Sequence, residues 1–410
     1  MLDYGSLFSG LETAAVAWHP LGWSTRFVSE VDATACAVLE ERLPHVPNLG
    51  DVTAIDFDFR AVAAGSVDVV IGGSPCQSFS FAGDRSGLQD PRGMLALRYT
   101  EIIDATDPAV CVWENVEGAL STEGGRGFGA LLGALSGHGG PLQPPTGSGW
   151  TDFGWVHGPR RNLAWRILDG RFFGLASRRR RVVLVGSSRP DVDPYRILAG
   201  ARDVASGGRQ GLPTEPKPGK TAAERADSIP WSRSRRHGSI ICAALPMPLR
   251  ELVDGDVYGI SDSQTWGLNL MPTLMAKKTA GGQENFVLYR RGDGAMICRK
   301  TLAKEEERLH GLPDGWTDVP IVHRNGRRTR TSESSRSKLV GNSMQVPVFR
   351  WLGRRIEAAL VEAWRGSRRS EDVRRLARWE EDRECFEVGE RPEPEQPFDP
   401  RRFTLGRPAA

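Results

Sequence analysis

Cys76 is the residue whose neighbours best suit it to act as a nucleophile. It closes the run Gly72, Gly73, Ser74, Pro75, Cys76, directly after the apolar stretch 67–71. Such a stretch reads as a buried strand. The glycines let the backbone turn sharply at its end, and the proline fixes the approach. A thiol presented there can add to an electrophilic carbon and leave again. The plain alternative for a lone cysteine is a buried structural thiol, but the glycine-rich stretch 81–93 that follows favours the reactive reading. Glu114 stands with Asn115 and Val116 at the end of a second apolar stretch, 110–113. A carboxyl there could move protons if burial raised its pKa, or could cap a following helix, and the fragment alone favours the cap. Ser177, Arg178, Arg179, Arg180 and Arg181 precede the apolar stretch 182–186. Four arginines often form a phosphate-binding or solvated patch. In extended backbone, alternate side chains share a face, so Arg179 and Arg181 fall together.

Three further clusters suit a nucleotide-like ligand. Phe8, Ser9 and Gly10, followed by Leu11 and Glu12, join a strand pattern to a helix pattern. A helix start can accept an anion, although an ordinary turn explains the same residues. Glu30, with Val31 beside it, ends the next strand pattern. An acid about 20 residues after the first turn can bind ribose hydroxyls, or can be a surface carboxylate or a cap. Gly50, Asp51 and Val52 could hold an adenine amino group or form a turn.

The elements that carry these residues alternate. Strands are predicted over 2–8, 25–29, 67–72, 110–113 and 182–186, and helices over 11–18, 33–42 and 93–103. This is the pattern of an α/β domain with a mostly parallel sheet covered on both faces. Ligands of such sheets bind at the carboxyl ends of strands, where Phe8, Glu30, Cys76 and Glu114 fall. From 187 to about 284 glycine, proline and serine are frequent and no period is visible, which suggests a smaller, irregular domain. Helical pattern returns at 302–309 and 346–364, before a charge-dense, finally proline-rich tail. The organisation expected is therefore 1–186, 187–290, 291–366 and a partly disordered 367–410.

Composition excludes several classes. Of 410 residues 39% are hydrophobic and 26% charged, which suits a globular protein rather than a disordered one. The net charge of +3 is too small to name a partner, so a nucleic-acid surface must be local. Candidate residues are Arg160, Arg161, Arg178, Arg179, Arg180, Arg181, Arg233, Arg235, Arg236, Arg327, Arg328 and Arg330, unless these pair with nearby acids. No apolar run approaches the ~18 residues of a membrane span. The N-terminus has no basic-then-apolar leader pattern. The cysteines, at 36, 76, 111, 242, 298 and 385, have neither CxxC nor zinc spacing. No metal, reduced thiols and a cytoplasmic location are the expectations.

In order and over about 1–186 and 294–350, these pieces resemble the DNA (cytosine-5)-methyltransferase family. Segment 7–12 looks like its first cofactor motif, Glu30 and Asp51 its second and third, 72–80 its Pro-Cys motif, and 90–95 the next helix start. Glu114, Asn115 and Val116 match its Glu-Asn-Val, 173–181 its Gln-Arg-Arg-x-Arg segment, 299–316 its ninth motif and 340–347 its last. Glu12 departs from the pattern by replacing a glycine, Ala176 and Ser177 replace Pro-Gln, and Arg180 takes the variable position. The resemblance implies a Rossmann-like sheet domain and a target-recognition domain within 187–290. It implies transfer of a methyl group from S-adenosyl-L-methionine (AdoMet) to C5 of a flipped-out cytosine in double-stranded DNA. Cys76 would add to C6, protonated Glu114 would meet N3, Arg181 the base carbonyl and Arg179 nearby backbone or phosphate. Phe8, Ser9, Gly10, Glu30, Val31, Asp51, Val52, Pro75, Leu95, Asn342 and Met344 would line the AdoMet site. Stretch 81–93 would close behind the base. A bacterial or phage monomer, with or without a cognate restriction endonuclease, fits this reading. The tRNA branch is disfavoured by the absence of its Cys-Phe-Thr signature, and amino-methylating enzymes by the absence of Asp/Asn-Pro-Pro-aromatic. A catalytically dead scaffold would have lost Cys76 or Glu114, and an unrelated thiol enzyme would leave the last two motifs unexplained.

Overall fold

The computed structural model describes residues 1–55, 67–74, 91–145, 149–199, 257–261, 266–268, 271, 285–290, 296–323, 325–367, 372 and 374–380. The chain divides into two compact units. One is Met1–Leu168, Arg180–Pro213 and Val348–Arg391; the other is Asp169–Arg179, Thr214–Pro347 and Pro392–Ala410.

The first unit begins β1 (Asp3–Leu7), α1 (Thr13–Trp18), β2 (Ser24–Phe27), α2 (Ala33–Arg42), β3 (Val69–Gly72), α3 (Pro91–Thr106) and β4 (Val110–Val116). It continues with α4 (Arg126–Ser136), β5 (Phe153–Val156), β6 (Asn162–Asp169), β7 (Arg180–Ser187) and α5 (Pro194–Leu198). The seven strands form one sheet in the order β2-β1-β3-β4-β7-β6-β5. The parallel expectation holds for β2-β1-β3-β4. It fails beyond β4, since β7 runs antiparallel to β4 and β5 antiparallel to β6. For β5 and β6 the cause is connection length: parallel neighbours need a crossover of about a dozen residues or more, usually a helix, and the link 157–161 is shorter.

On one face of the sheet Leu7, Val70, Trp113, Trp165 and Leu184 join Tyr99, Ile103, Phe128 and Leu132 in a single apolar cluster. Two elements of this face have weak sequence signals. Strand β6 (NLAWRILD) does not alternate, because all but its first residue are buried. Helix α4 carries Gly127, Gly129 and Gly133, which are poor helix formers. The last two admit a backbone: a Cβ on Gly129 would lie 2.1 Å from the Leu142 carbonyl oxygen, and one on Gly133 2.2 Å from that of Gly140.

The second unit contains a four-stranded antiparallel sheet, ordered β11-β10-β8-β9, of β8 (Val257–Ser261), β9 (Trp266–Leu268), β10 (Asn285–Arg290) and β11 (Met296–Lys300). It also holds α6 (Ala303–Leu309), the hairpin β12 (Pro320–Val322) and β13 (Arg328–Arg330), and α7 (Glu333–Asn342). Helix α8 (Val346–Gly366) ends in the first unit, where the Trp18 indole N–H donates to the Phe349 carbonyl over 2.7 Å. Among the described residues no helix is long and apolar enough to cross a membrane.

Alanine normally stabilises a helix by about 1 kcal/mol over glycine. Gly133→Ala is expected to do the reverse, since overpacking against backbone costs about 1–3 kcal/mol. A lower urea midpoint checks this; a higher one would mean that the segment carrying Gly140 yields freely.

Candidate active site

The parallel register sets Gly72 of β3 against Trp113 of β4. Two side chains of β4 then hold the residue that follows. The Trp113 indole N–H donates to the Ser74 hydroxyl over 3.2 Å, and the Asn115 amide donates to the Ser74 carbonyl over 2.8 Å, both buried. Gly73 between them lies so close to β4 that an added Cβ would stand 3.0 Å from the Glu114 carbonyl oxygen and 3.4 Å from its Oε2. Pro75 and Cys76 come next and lie outside the described residues, as do 77–90.

Glu114 is a strand residue, not a helix cap, and is 8% exposed. Antiparallel pairing puts Val183 opposite Glu114 and Arg181 opposite Val116. The start of β7 therefore lies beside the end of β4, and Arg181 Nε is 3.2 Å from Glu114 Oε1. These two side chains, 67 positions apart in the sequence, meet.

The other arginines of the run behave differently. Arg179, read from the sequence as a catalytic group, is 2% exposed, and its Nη2 donates to the carbonyls of Gly341 (3.0 Å) and Ser343 (2.7 Å). It holds the backbone of its own unit on either side of Asn342. Arg180 pairs with Glu117 and with Asp152. Arg160 and Arg161 both pair with Asp104, and Arg330 pairs with Asp318. For these four the ion-pair alternative to a DNA surface is the one realised. Arg233, Arg235 and Arg236 lie outside the described residues.

The loop after β1 has left-handed backbone at Phe8, Gly10 and Glu12, with φ of 53°, 55° and 51°. The Ser9 N–H donates to the Ser29 carbonyl over 3.1 Å, and the Gly10 N–H to Glu30 Oε2 over 2.8 Å. Glu30 Oε1 accepts the N–H groups of Val31 and Asp32, each at 2.8 Å. One carboxylate thus ties the end of β2 to the loop after β1. Above it Gly10 is open, with no atom within 4 Å of an added Cβ, and Val31 is 66% exposed. Asp51 caps the turn Val52–Ala54, and the Thr53 N–H and hydroxyl hold its carboxyl below the usual range. Val52 turns into the apolar cluster, against which Phe8 and Leu95 pack. Asn342, exposed, and Met344, half-buried, belong to the second unit.

Sequence reasoning passed over Ser74 as a tethering point and Glu12 as a buried acid. The second had a signal: a carboxylate where the motif has glycine must be accommodated by something nearby.

Residues 2–201 match the sequence model of C-5 cytosine-specific DNA methylases. An Escherichia phage P1 protein named DNA N-6-adenine-methyltransferase is 31% identical over 90% of this chain, which spans only 63% of that protein. The type II methyltransferase M.AquIA of Picosynechococcus is 34% identical over 44% of this chain and 70% of its own. The type II methyltransferase M2.BsuMI of Bacillus subtilis is 28% identical over 85% of this chain and 73% of its own. Among solved structures, the S. pombe Dnmt2 methyltransferase superposes with a TM-score of 0.56 at 15% identity, over 87% of this chain and 99% of its own, a likeness of fold. With the Glu-Asn-Val strand and its arginine partner in place, the chain belongs to the C-5 cytosine-specific DNA methylase family.

Proposed function

We propose that the protein transfers a methyl group from AdoMet to C5 of a flipped-out cytosine in double-stranded DNA, through a covalent Cys76–C6 intermediate. The observation that carries the reading is the buried Glu114–Arg181 pair beside a tethered Ser74, the residue two before Cys76. A carboxyl and a guanidinium in contact present hydrogen-bonding groups that suit the N3, amine and O2 edge of cytosine.

The residues of the β1 loop fit AdoMet. Glu30 is held by three backbone N–H groups and keeps lone pairs for a ribose diol, Gly10 leaves open space, and Val31 offers apolar surface for a purine. Phe8, Ser9, Asp51, Val52, Pro75, Leu95, Asn342 and Met344 complete the proposed site. When bound, AdoMet supplies an electrophilic methyl group on a sulfonium. The chain supplies the rest. The Cys76 thiolate adds to C6, Glu114 hydrogen-bonds N3 and the exocyclic amine, and Arg181 holds O2. The electron-rich C5 takes up the methyl group. The C5 proton then passes to a base, the C5–C6 double bond re-forms and the thiolate leaves. Arg179 positions the Gly341–Ser343 backbone.

The name of the phage P1 relative raises adenine N6 as a second substrate. This chain lacks the Asp/Asn-Pro-Pro-aromatic run that the amino-methylating reaction requires, so cytosine is preferred. The base readout is proposed to lie within 187–290, by exclusion. A cytoplasmic monomer of a bacterial or phage-infected cell is proposed, and the type II names of several relatives suggest a partner endonuclease.

With AdoMet present, DNA carrying 5-fluorocytosine should trap the wild-type chain in a denaturation-resistant adduct, because fluorine cannot leave as a proton. Cys76→Ala should form none, and an adduct with that variant would remove Cys76 from the mechanism. Glu114→Gln should bind DNA as before while its single-turnover rate falls by about 10²–10⁴-fold, the usual contribution of a positioned acid. An unchanged rate would leave Glu114 only a structural partner of Arg181.

A further inference from the structure

Glu12 stands where the family motif has a glycine, and the backbone there is of the kind that favours glycine: φ is 51° and ψ 57°. A non-glycine residue persists in that region only where its surroundings over-determine it. Here they do. Glu12 is 1% exposed and stands at the N-cap of α1, the short helix that begins just after it, without a side-chain cap bond. Its carboxyl points down into the sheet. The Tyr4 hydroxyl of β1 donates to Glu12 Oε1 over 3.0 Å, and the Thr25 hydroxyl of β2 donates to Tyr4 Oη over 2.7 Å. His19 Nε2, in the turn after α1, lies 2.8 Å from Thr25 Oγ1. The line therefore runs from a buried carboxyl under the β1 loop to the protein surface. Glu12 Oε2 is buried and has no hydrogen-bond partner.

The same turn is held from its other side. The Gly10 N–H donates to Glu30, and the Glu12 N–H donates to the Ser9 carbonyl over 2.9 Å. The open face at Gly10 thus lies between two carboxylic residues with different environments. Glu30 has three N–H donors and sits at the surface of the site. Glu12 is sealed beneath the loop, with the Tyr4 hydroxyl on Oε1 and the Ser6 side chain and the Ala15 N–H as the other polar groups at its carboxyl.

We infer that Glu12 is a positioning residue for the AdoMet loop: as a neutral carboxylic acid it pins the 9–12 turn to β1 and β2 through Tyr4, Thr25 and His19, and AdoMet affinity depends on its keeping that proton. This rests on the AdoMet reading above. Among the described residues no cation lies close enough to offset an ionised Glu12. The titratable groups facing it are Tyr4 from β1 and His19 from the turn after α1. Burial raises the Tyr4 hydroxyl and lowers the His19 imidazole, so neither supplies charge at neutral pH. Helix α8 contributes Arg350, whose guanidinium goes to the Val16 and Ala17 carbonyls on the far side of α1. Burial pushes the Glu12 carboxyl up to about 7, within the range where an enzyme works. Losing the proton would place an uncompensated charge under the loop, which is relieved by moving the loop.

The test is calorimetric titration of S-adenosylhomocysteine into the full chain between about pH 6 and about pH 8.5, a window that brackets the Glu12 transition. The wild type should hold a constant Kd at the acid end and weaken towards about tenfold per pH unit above about 7. Glu12→Gln cannot ionise and keeps an acceptor for Tyr4, so it should bind at every pH with the acid-end affinity of the wild type. Tyr4→Phe should bind about tenfold more weakly at the acid end, the loss of one hydrogen bond. Parallel profiles for the wild type and Glu12→Gln would overturn the inference, as would binding that tightens with pH. If Tyr4→Phe does not fold, the comparison with Glu12→Gln still decides. Absence of binding by the wild type at any pH would overturn the AdoMet reading and this inference with it, whereas wild-type binding with an unmoved Glu12→Gln profile overturns this inference alone.

Discussion

The hydrogen bond from the Asn115 amide to the Ser74 carbonyl is the constraint on which the candidate site depends. It joins the end of one parallel strand to a side chain of the next, two residues before Cys76. A loop leaving a strand has many directions open to it. This bond, with that of Trp113 to the Ser74 hydroxyl, removes most of them. Both are buried, and an unmatched buried carbonyl would be destabilising by about 1–3 kcal/mol, so the loop cannot leave β4 without loss. The bond in turn requires the β3–β4 register, and the register requires the apolar cluster that packs Val70 and Trp113 on one face of the sheet. Core packing and the placement of Ser74, two residues before Cys76, are thus one arrangement.

The reversal of direction at β7 is what gives Glu114 its partner. In a wholly parallel sheet the strand after β4 would bring its carboxyl end to the site, and the start of that strand would lie at the opposite edge. Because β7 runs the other way, its first residues arrive at the end of β4, and Arg181 reaches Glu114. The departure from a wholly parallel topology is therefore what brings the two side chains of the candidate site together.

Much of this was legible in residue types. Gly73 reads as part of a sharp turn, and the structure adds a close backbone approach there, against Glu114. Glu30 reads as a strand-end acid and lies three residues past the end of β2, where three backbone N–H groups hold it. What was not legible depended on residues distant in sequence. Helix α4 is hidden by glycines whose purpose appears only when the 139–142 backbone is beside them. The fates of Arg160, Arg161 and Arg180 rest on acids 28 to 63 positions away. Sequence distance also hid the role of Arg179, whose acceptors are more than 160 residues on.

Buried charge separates the two units' use of acids. In α6 Glu305, Glu306 and Glu307 are all buried. Glu305 receives a two-pronged contact from Arg299 at 2.7 and 2.9 Å, and Glu307 accepts from Arg336 and from the N–H groups of Gly315 and Thr317. Such pairs add little net stability, but removing one partner costs about 3–5 kcal/mol, so they specify which turn packs on which helix. Glu12 in the first unit has no such counter-charge among the described residues. A buried acid whose partners are hydroxyls and a backbone N–H does not specify by ion pairing. It can stay buried only while neutral, and its protonation then becomes a condition on the shape of the loop above it.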